Sequence, residues 1–153
     1  MKFFNRIFRK NWITCPRCLG KGHVDQQDIT RLKMEIFWKS GKCAYCKGNG
    51  IVPPEGPQRV SPDLAYLSLD LPFEERNRLI RGDKAALERA AEFNMFFLDM
   101  VASIEQLYFS ENRLPEDIAH QLFVLSDKQQ YTAAEKQEMV RYIEKIVSLK
   151  KRN

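Results

Sequence analysis

Two short segments, Cys15-Pro16-Arg17-Cys18-Leu19-Gly20-Lys21-Gly22 and Cys43-Ala44-Tyr45-Cys46-Lys47-Gly48-Asn49-Gly50, repeat one pattern, CxxCxGxG, and hold all four cysteines of the chain. Two residues between thiols let a tight turn aim both sulfurs at one point, so two such pairs can supply a tetrahedral all-thiolate shell. The spacing predicts one Zn2+ ion bound by Cys15, Cys18, Cys43 and Cys46. Such a shell has no open position for water or substrate, which makes the site structural. Gly20, Gly22, Gly48 and Gly50 can take positive φ, so the backbone after each pair can curl back and direct its N–H groups at the sulfurs. Arg17, Lys21, Lys42 and Lys47 are placed to offset the excess negative charge of four thiolates on one dication. His23 follows the first motif, but four sulfurs already complete the shell, and it is expected beside the site.

The paired motif resembles the cysteine-rich zinc domain of DnaJ chaperones, over residues 13–52. In that family four copies of the motif form two zinc sites; two copies here imply one, with the same four cysteines as ligands. No His-Pro-Asp tripeptide precedes the motif. The resemblance therefore implies a protein-binding zinc module, not stimulation of a heat-shock ATPase.

A module of some 40 residues is too small to be stable on apolar burial alone. Metal must hold it, and structural zinc contributes an apparent ~10–16 kcal/mol in finger peptides. Charge is divided unevenly along the chain. Residues 1–50 carry 11 Lys and Arg against 3 Asp and Glu, whereas residues 51–153 carry 14 against 17. A basic third of this kind attracts nucleic acid, an acidic protein or an anionic membrane surface. No stretch of about 18 apolar residues is present, so no membrane span is expected. The first 15 residues lack the apolar run of a secretory signal, and zinc thiolates suit a reducing cytoplasm.

The domain organisation expected is an amphipathic N-terminal helix over 1–12, a DnaJ-like zinc module over 13–52, a linker over 53–60 and a helical bundle over 61–153. The fold class is mainly α with a small zinc module. In the first helix Phe4, Phe8 and Trp12 recur at i, i+4 and i+8 among cations, a stripe suited to packing, to a partner's groove or to peripheral membrane contact through residues 2–12. Between the motifs, Asp28 is expected to cap a helix through Ile29, Leu32, Ile36 and Phe37 to about Ser40, with a hairpin as the rival. Phe37 and Trp38 are its candidate contact residues. Pro53, Pro54, Gly56 and Pro57 mark the boundary. Beyond it, Ser61-Pro62-Asp63 opens a short helix, Pro72 another over 73–81 stopped by Gly82, and Asp83 caps a long helix to about Ser110. Leu87, Ala90, Ala91, Asn94, Phe97, Leu98, Val101, Ile104, Leu107 and Tyr108 fall near one face of that helix. Pro115 starts a fourth helix carrying Ile118, Leu122, Phe123 and Leu125. A Thr132–Glu135 capping box opens the last, with Met139, Ile143, Ile146 and Val147 as its buried stripe.

Nothing in this pattern assembles a catalytic constellation. Glu74, Glu75, Glu116, Asp117 and Glu138 read as solvated charge, and there is no nucleophile elbow, phosphate loop or His-Glu-x-x-His sequence. The function expected is a non-catalytic, zinc-binding adaptor or chaperone-like module for a protein client or partner subunit. Nucleic-acid binding by the basic third is the alternative. Thiol–disulfide exchange by a metal-free CxxC ranks behind both.

Overall fold

The computed structural model describes residues 11–127 and 130–153. Phe4 and Phe8, with most of the expected N-terminal helix, lie outside the described residues. The described chain is mainly helical, with two small antiparallel sheets at its N-terminal end. Contacts divide it into two units, Met1–Asn94 and Met95–Asn153.

In the first unit four two-residue strands come first: β1 (Ile13–Thr14), β2 (His23–Val24), β3 (Gly41–Lys42) and β4 (Ile51–Val52). β1 pairs with β4, Ile13 opposite Val52, and β2 pairs with β3, His23 opposite Lys42. Each cysteine motif therefore leaves one sheet and enters the other, and each sheet joins the start of one motif to the end of the other. Between the motifs lies helix α1 (Gln26–Arg31). Its N-cap is Asp25, not Asp28: Asp25 accepts from the Asp28 N–H while the Asp28 carboxylate accepts from the Asp25 N–H, a reciprocal capping box. The helix ends at Leu32 because Lys33 turns to φ +57°. Ile36 and Phe37 are thus in a turn beyond it; neither the longer helix nor the hairpin forms.

The stretch 53–60, expected as a linker, contains helix α2 (Gly56–Arg59), and Val60 is buried with its carbonyl accepting the Tyr45 hydroxyl at 2.6 Å. Residues 61–71 are turns, not the expected helix. The carbonyls of Pro62, Leu64 and Leu67 all accept from the Arg17 guanidinium, at 2.7, 3.3 and 2.6 Å, so the segment is shaped around a side chain. Helix α3 (Phe73–Ile80) follows Pro72, and Gly82, at φ +77°, stops it as expected. Asp83 then accepts from the Ala86 N–H at 2.9 Å and opens helix α4 (Lys84–Glu105). Glu75 is not free solvated charge. It holds Arg89 bidentately at 2.8 and 2.8 Å, tying α3 to α4.

One buried cluster unites the four cysteines with Val24, Ile29, Trp38, Tyr45, Val52, Val60, Leu67, Leu79, Ala86 and Ala90. The helices after residue 60 thus share a core with the cysteine module instead of forming a separate bundle with the rest. The break falls at 94/95, after Leu67, Leu79, Ala86 and Ala90, which belong to the core that holds the cysteines.

The second unit contains the end of α4, a wider π turn over Gln106–Ser110, helix α5 (Pro115–Leu125) and helix α6 (Ala133–Arg152). Ile104, Leu107, Ile118, Ala119, Phe123, Val140, Ile143, Ile146 and Val147 are its buried residues. Thr132 and Glu135 form the expected box. Of the residues expected near one face of α4, Ala91, Asn94 and Leu98 are exposed, as is Leu125 of α5.

Candidate metal centre

The two motifs are built as near copies offset by 28 residues. Cys15 N–H donates to the Gly50 carbonyl at 2.9 Å, and Cys43 N–H donates to the Gly22 carbonyl at 3.0 Å. Gly22 N–H points at Cys18 Sγ at 3.3 Å, and Gly50 N–H points at Cys46 Sγ at 3.2 Å. All four glycines have positive φ, between 75° and 90°. The second glycine of each motif has a further role. A Cβ at Gly22 would lie 2.5 Å from the Gly48 carbonyl oxygen, and one at Gly50 would lie 2.4 Å from that of Gly20. The knuckles touch backbone to backbone, and this contact brings the sulfurs together.

Cys15, Cys18, Cys43 and Cys46 offer sulfurs that all lie within 4.8 Å of one another, and all four side chains are buried. The cross-knuckle pairs are Cys15–Cys43 at 3.9 Å and Cys18–Cys46 at 3.8 Å. A disulfide needs about 2.05 Å, whereas a tetrahedron of sulfurs each ~2.3 Å from one zinc has edges of ~3.8 Å. The donor set fits a single thiophilic ion. Within the cluster the thiols do not ionise independently. Cys43 is driven well above the ordinary thiol range by its contacts with Cys15, then with Cys46, and by burial. Cys46 is drawn down to about 2 by those to Cys15 and then Cys43. A dication removes this conflict by stabilising all four thiolates at once.

Arg17 is the residue whose place was least visible in the sequence. An arginine inside a CxxC reads as an exposed cation near the sulfurs, yet it is 2 % exposed. Its guanidinium stacks 4.0 Å above the Trp38 ring and 5.4 Å from that of Tyr45, besides its three carbonyl bonds. Burial lowers its pKa to about 10, against the pull of the Cys43 and Cys15 sulfurs, so it is charged at neutral pH. Lys21, expected to face the thiolates, instead pairs with Asp25 at 2.5 Å and Asp28 at 2.7 Å. Asp28 in turn holds Arg31, whose guanidinium reaches the Arg17 carbonyl at 2.7 Å. This chain of charges anchors α1 to the first knuckle. His23 is exposed on β2, its Nδ1 3.2 Å from the Lys21 carbonyl, and is not among the clustered ligands.

The aromatic contact residues fare differently. Trp38 is a core residue: it is buried, and its indole N–H donates to the Ala65 carbonyl at 3.1 Å. Phe37 is half-buried, its ring 6.3 Å from that of Phe93. Trp12 is half-buried and lines a cleft with Tyr45, Ile51 and Val52.

Comparison of the chain with protein-family models, curated proteins and solved structures finds no significant match. Among the described residues no helix is long and apolar enough to cross a membrane.

Proposed function

We propose that this chain is a zinc-stabilised, non-catalytic adaptor. The observation that carries the reading is the closed cluster of four buried thiols, spaced for a tetrahedral ion and capped by the Gly22 and Gly50 amides. Zinc suits such a set best, being content with tetrahedral sulfur ligation and redox-silent. A centre with no open ligand position supports contact, not turnover. The DnaJ-like CxxCxGxG pattern supports the same reading, since modules of that type bind proteins.

The protein-facing surface belongs to the second unit. Met95, Phe96 and Leu98 on α4, Leu114 before α5, and Val124 and Leu125 at its end are all large, apolar and exposed. Exposed apolar groups in this number mark association surfaces. Elemental analysis of the purified chain should give one zinc per chain. A protein partner recovered from the source lysate by the unmodified chain should be lost with Leu98→Glu plus Leu125→Glu, whose metal content stays unchanged. Absence of bound metal, or capture indifferent to those substitutions, would remove the proposal.

A further inference from the structure

Three clefts follow one another across the second knuckle, of about 220, 270 and 350 Å³. Lys42 lines the first and second, and Lys47 lines the second and third. Lys39, Lys42, Lys47, Arg76, Arg59 and Arg81 border the series, against a single carboxylate among the described lining residues, that of Asp70. Of these six cations only Arg59 has an ion pair among the described residues, with Glu55 at 3.9 Å on the open surface. Lys21, Arg31, Arg78 and Arg89, also in the first unit, are matched with acids. The cations that border the clefts, Arg59 apart, are not, and the track carries an uncompensated positive field.

The knuckle is shaped to keep Lys42 there. A Cβ at Gly48 would come within 2.7 Å of Lys42 Cε, so the glycine leaves the floor over which the lysine lies. Arg76 and Asn77, both half-buried, line the middle cleft. Beside them Phe73 is 63 % exposed, with the Arg76 guanidinium 5.8 Å from its ring. A nucleotide brings phosphate oxygens for the cations and a flat base for the Phe73 face.

We propose that this track binds single-stranded nucleic acid without strong sequence preference, the phosphates following Lys39, Lys42, Lys47, Arg59, Arg76 and Arg81 and a base stacking on Phe73. Backbone neutralisation by a row of cations plus stacking on aromatic rings is how such ligands are held. The site is built from residues of the first unit, and the apolar residues assigned to a protein partner belong to the second.

Fluorescence anisotropy of the zinc-loaded full chain with labelled mixed-sequence RNA and DNA single strands of about 15 nucleotides tests this. With about five phosphates neutralised, affinity should fall about 100-fold between about 50 and 200 mM salt. Lys42→Gln plus Lys47→Gln should flatten the log–log salt dependence by about 1.4. Phe73→Ala should weaken binding roughly tenfold and leave that slope alone. Lys84→Gln, on a side chain 90 % exposed outside the clefts, should leave the slope unchanged. Should the double variant lose its metal, the salt slope of the unmodified chain and the Phe73→Ala result decide. Absence of binding at low salt, or a slope indifferent to the two lysines, overturns the proposal. Displacement of the strand by polyglutamate with Phe73→Ala silent also overturns it, in favour of an acidic protein ligand.

Discussion

Arg17 ties the first cysteine knuckle to residues 62–67 through one side chain. A planar guanidinium can serve three carbonyls in different directions while lying flat on an indole, and an ammonium cannot reproduce either arrangement. Replacing it by methionine leaves the carbonyls of Pro62, Leu64 and Leu67 short of a donor, and should cost roughly 3 kcal/mol in denaturant unfolding of the metal-loaded chain. Arg17→Lys should recover little of that loss. Gly50 is equally constrained, by φ +75° and by the Gly20 carbonyl that a Cβ would meet at 2.4 Å. Gly50→Ala should therefore weaken metal affinity by at least about tenfold in competition with a chelator, because backbone cannot yield as a side chain can. Asp25 has a pKa lowered from 3.8 to about 2, by Lys21 first and then by the Asp28 N–H. A depressed carboxylate stabilises the folded state above its unfolded value and stops doing so as pH falls through its folded one. Its contribution is whole above pH 3.8 and therefore at neutral pH, where the thiolates still hold metal, so Asp25→Ala should weaken amide protection in Gln26–Arg31 of the metal-loaded chain there.

Among the elements, those with a local stop or start signal were legible in the chain. Pro72 and Gly82 bracket α3, Asp83 opens α4, Pro115 opens α5 and the Thr132–Glu135 box opens α6. Each signal acts within three or four residues, so no tertiary knowledge is needed to read it. Thr132→Ala should accordingly destabilise the second unit by about 1 kcal/mol, seen as a lower midpoint in thermal unfolding followed by helical circular dichroism. The failures have the opposite character. Residues 61–71 begin with a good helix-start sequence, yet Arg17, more than 40 positions earlier, takes their carbonyls. Asp28 looked like a cap, but as the third residue of the helix capped by Asp25 it is buried instead, paired with Lys21 and Arg31. Leu98 matched the period of the α4 stripe and is exposed. Period alone does not say which apolar positions of a long helix find a neighbour.

For the molecule as a whole, the division at 94/95 separates a unit whose core contains the thiol cluster from one built on helix packing alone. The two should respond differently to chelation. Zinc of this kind contributes an apparent ~10–16 kcal/mol, as much as the ~5–15 kcal/mol that stabilises an ordinary domain. Removing it should unfold the first unit, which holds both tryptophans, Trp12 and Trp38, and red-shift their emission. Helical circular dichroism from α5 and α6 should persist. A single cooperative loss of both signals would show that the second unit depends on the first.

The cysteine and glycine spacing by itself determined the four-thiol cluster: four sulfurs at CxxC intervals, and residues free to take positive φ behind them, leave little choice of geometry. Cap and breaker residues likewise determined where most helices begin and end, because those interactions span one turn. Tertiary structure alone decided that Arg17 and Trp38 are buried together, that 61–94 packs on the cysteine module, and that Arg76 and Arg81 border the same series of clefts as Lys42 and Lys47. Each of these depends on residues tens of positions apart meeting in a core or on a surface, and such meetings are set by the packing of the whole unit.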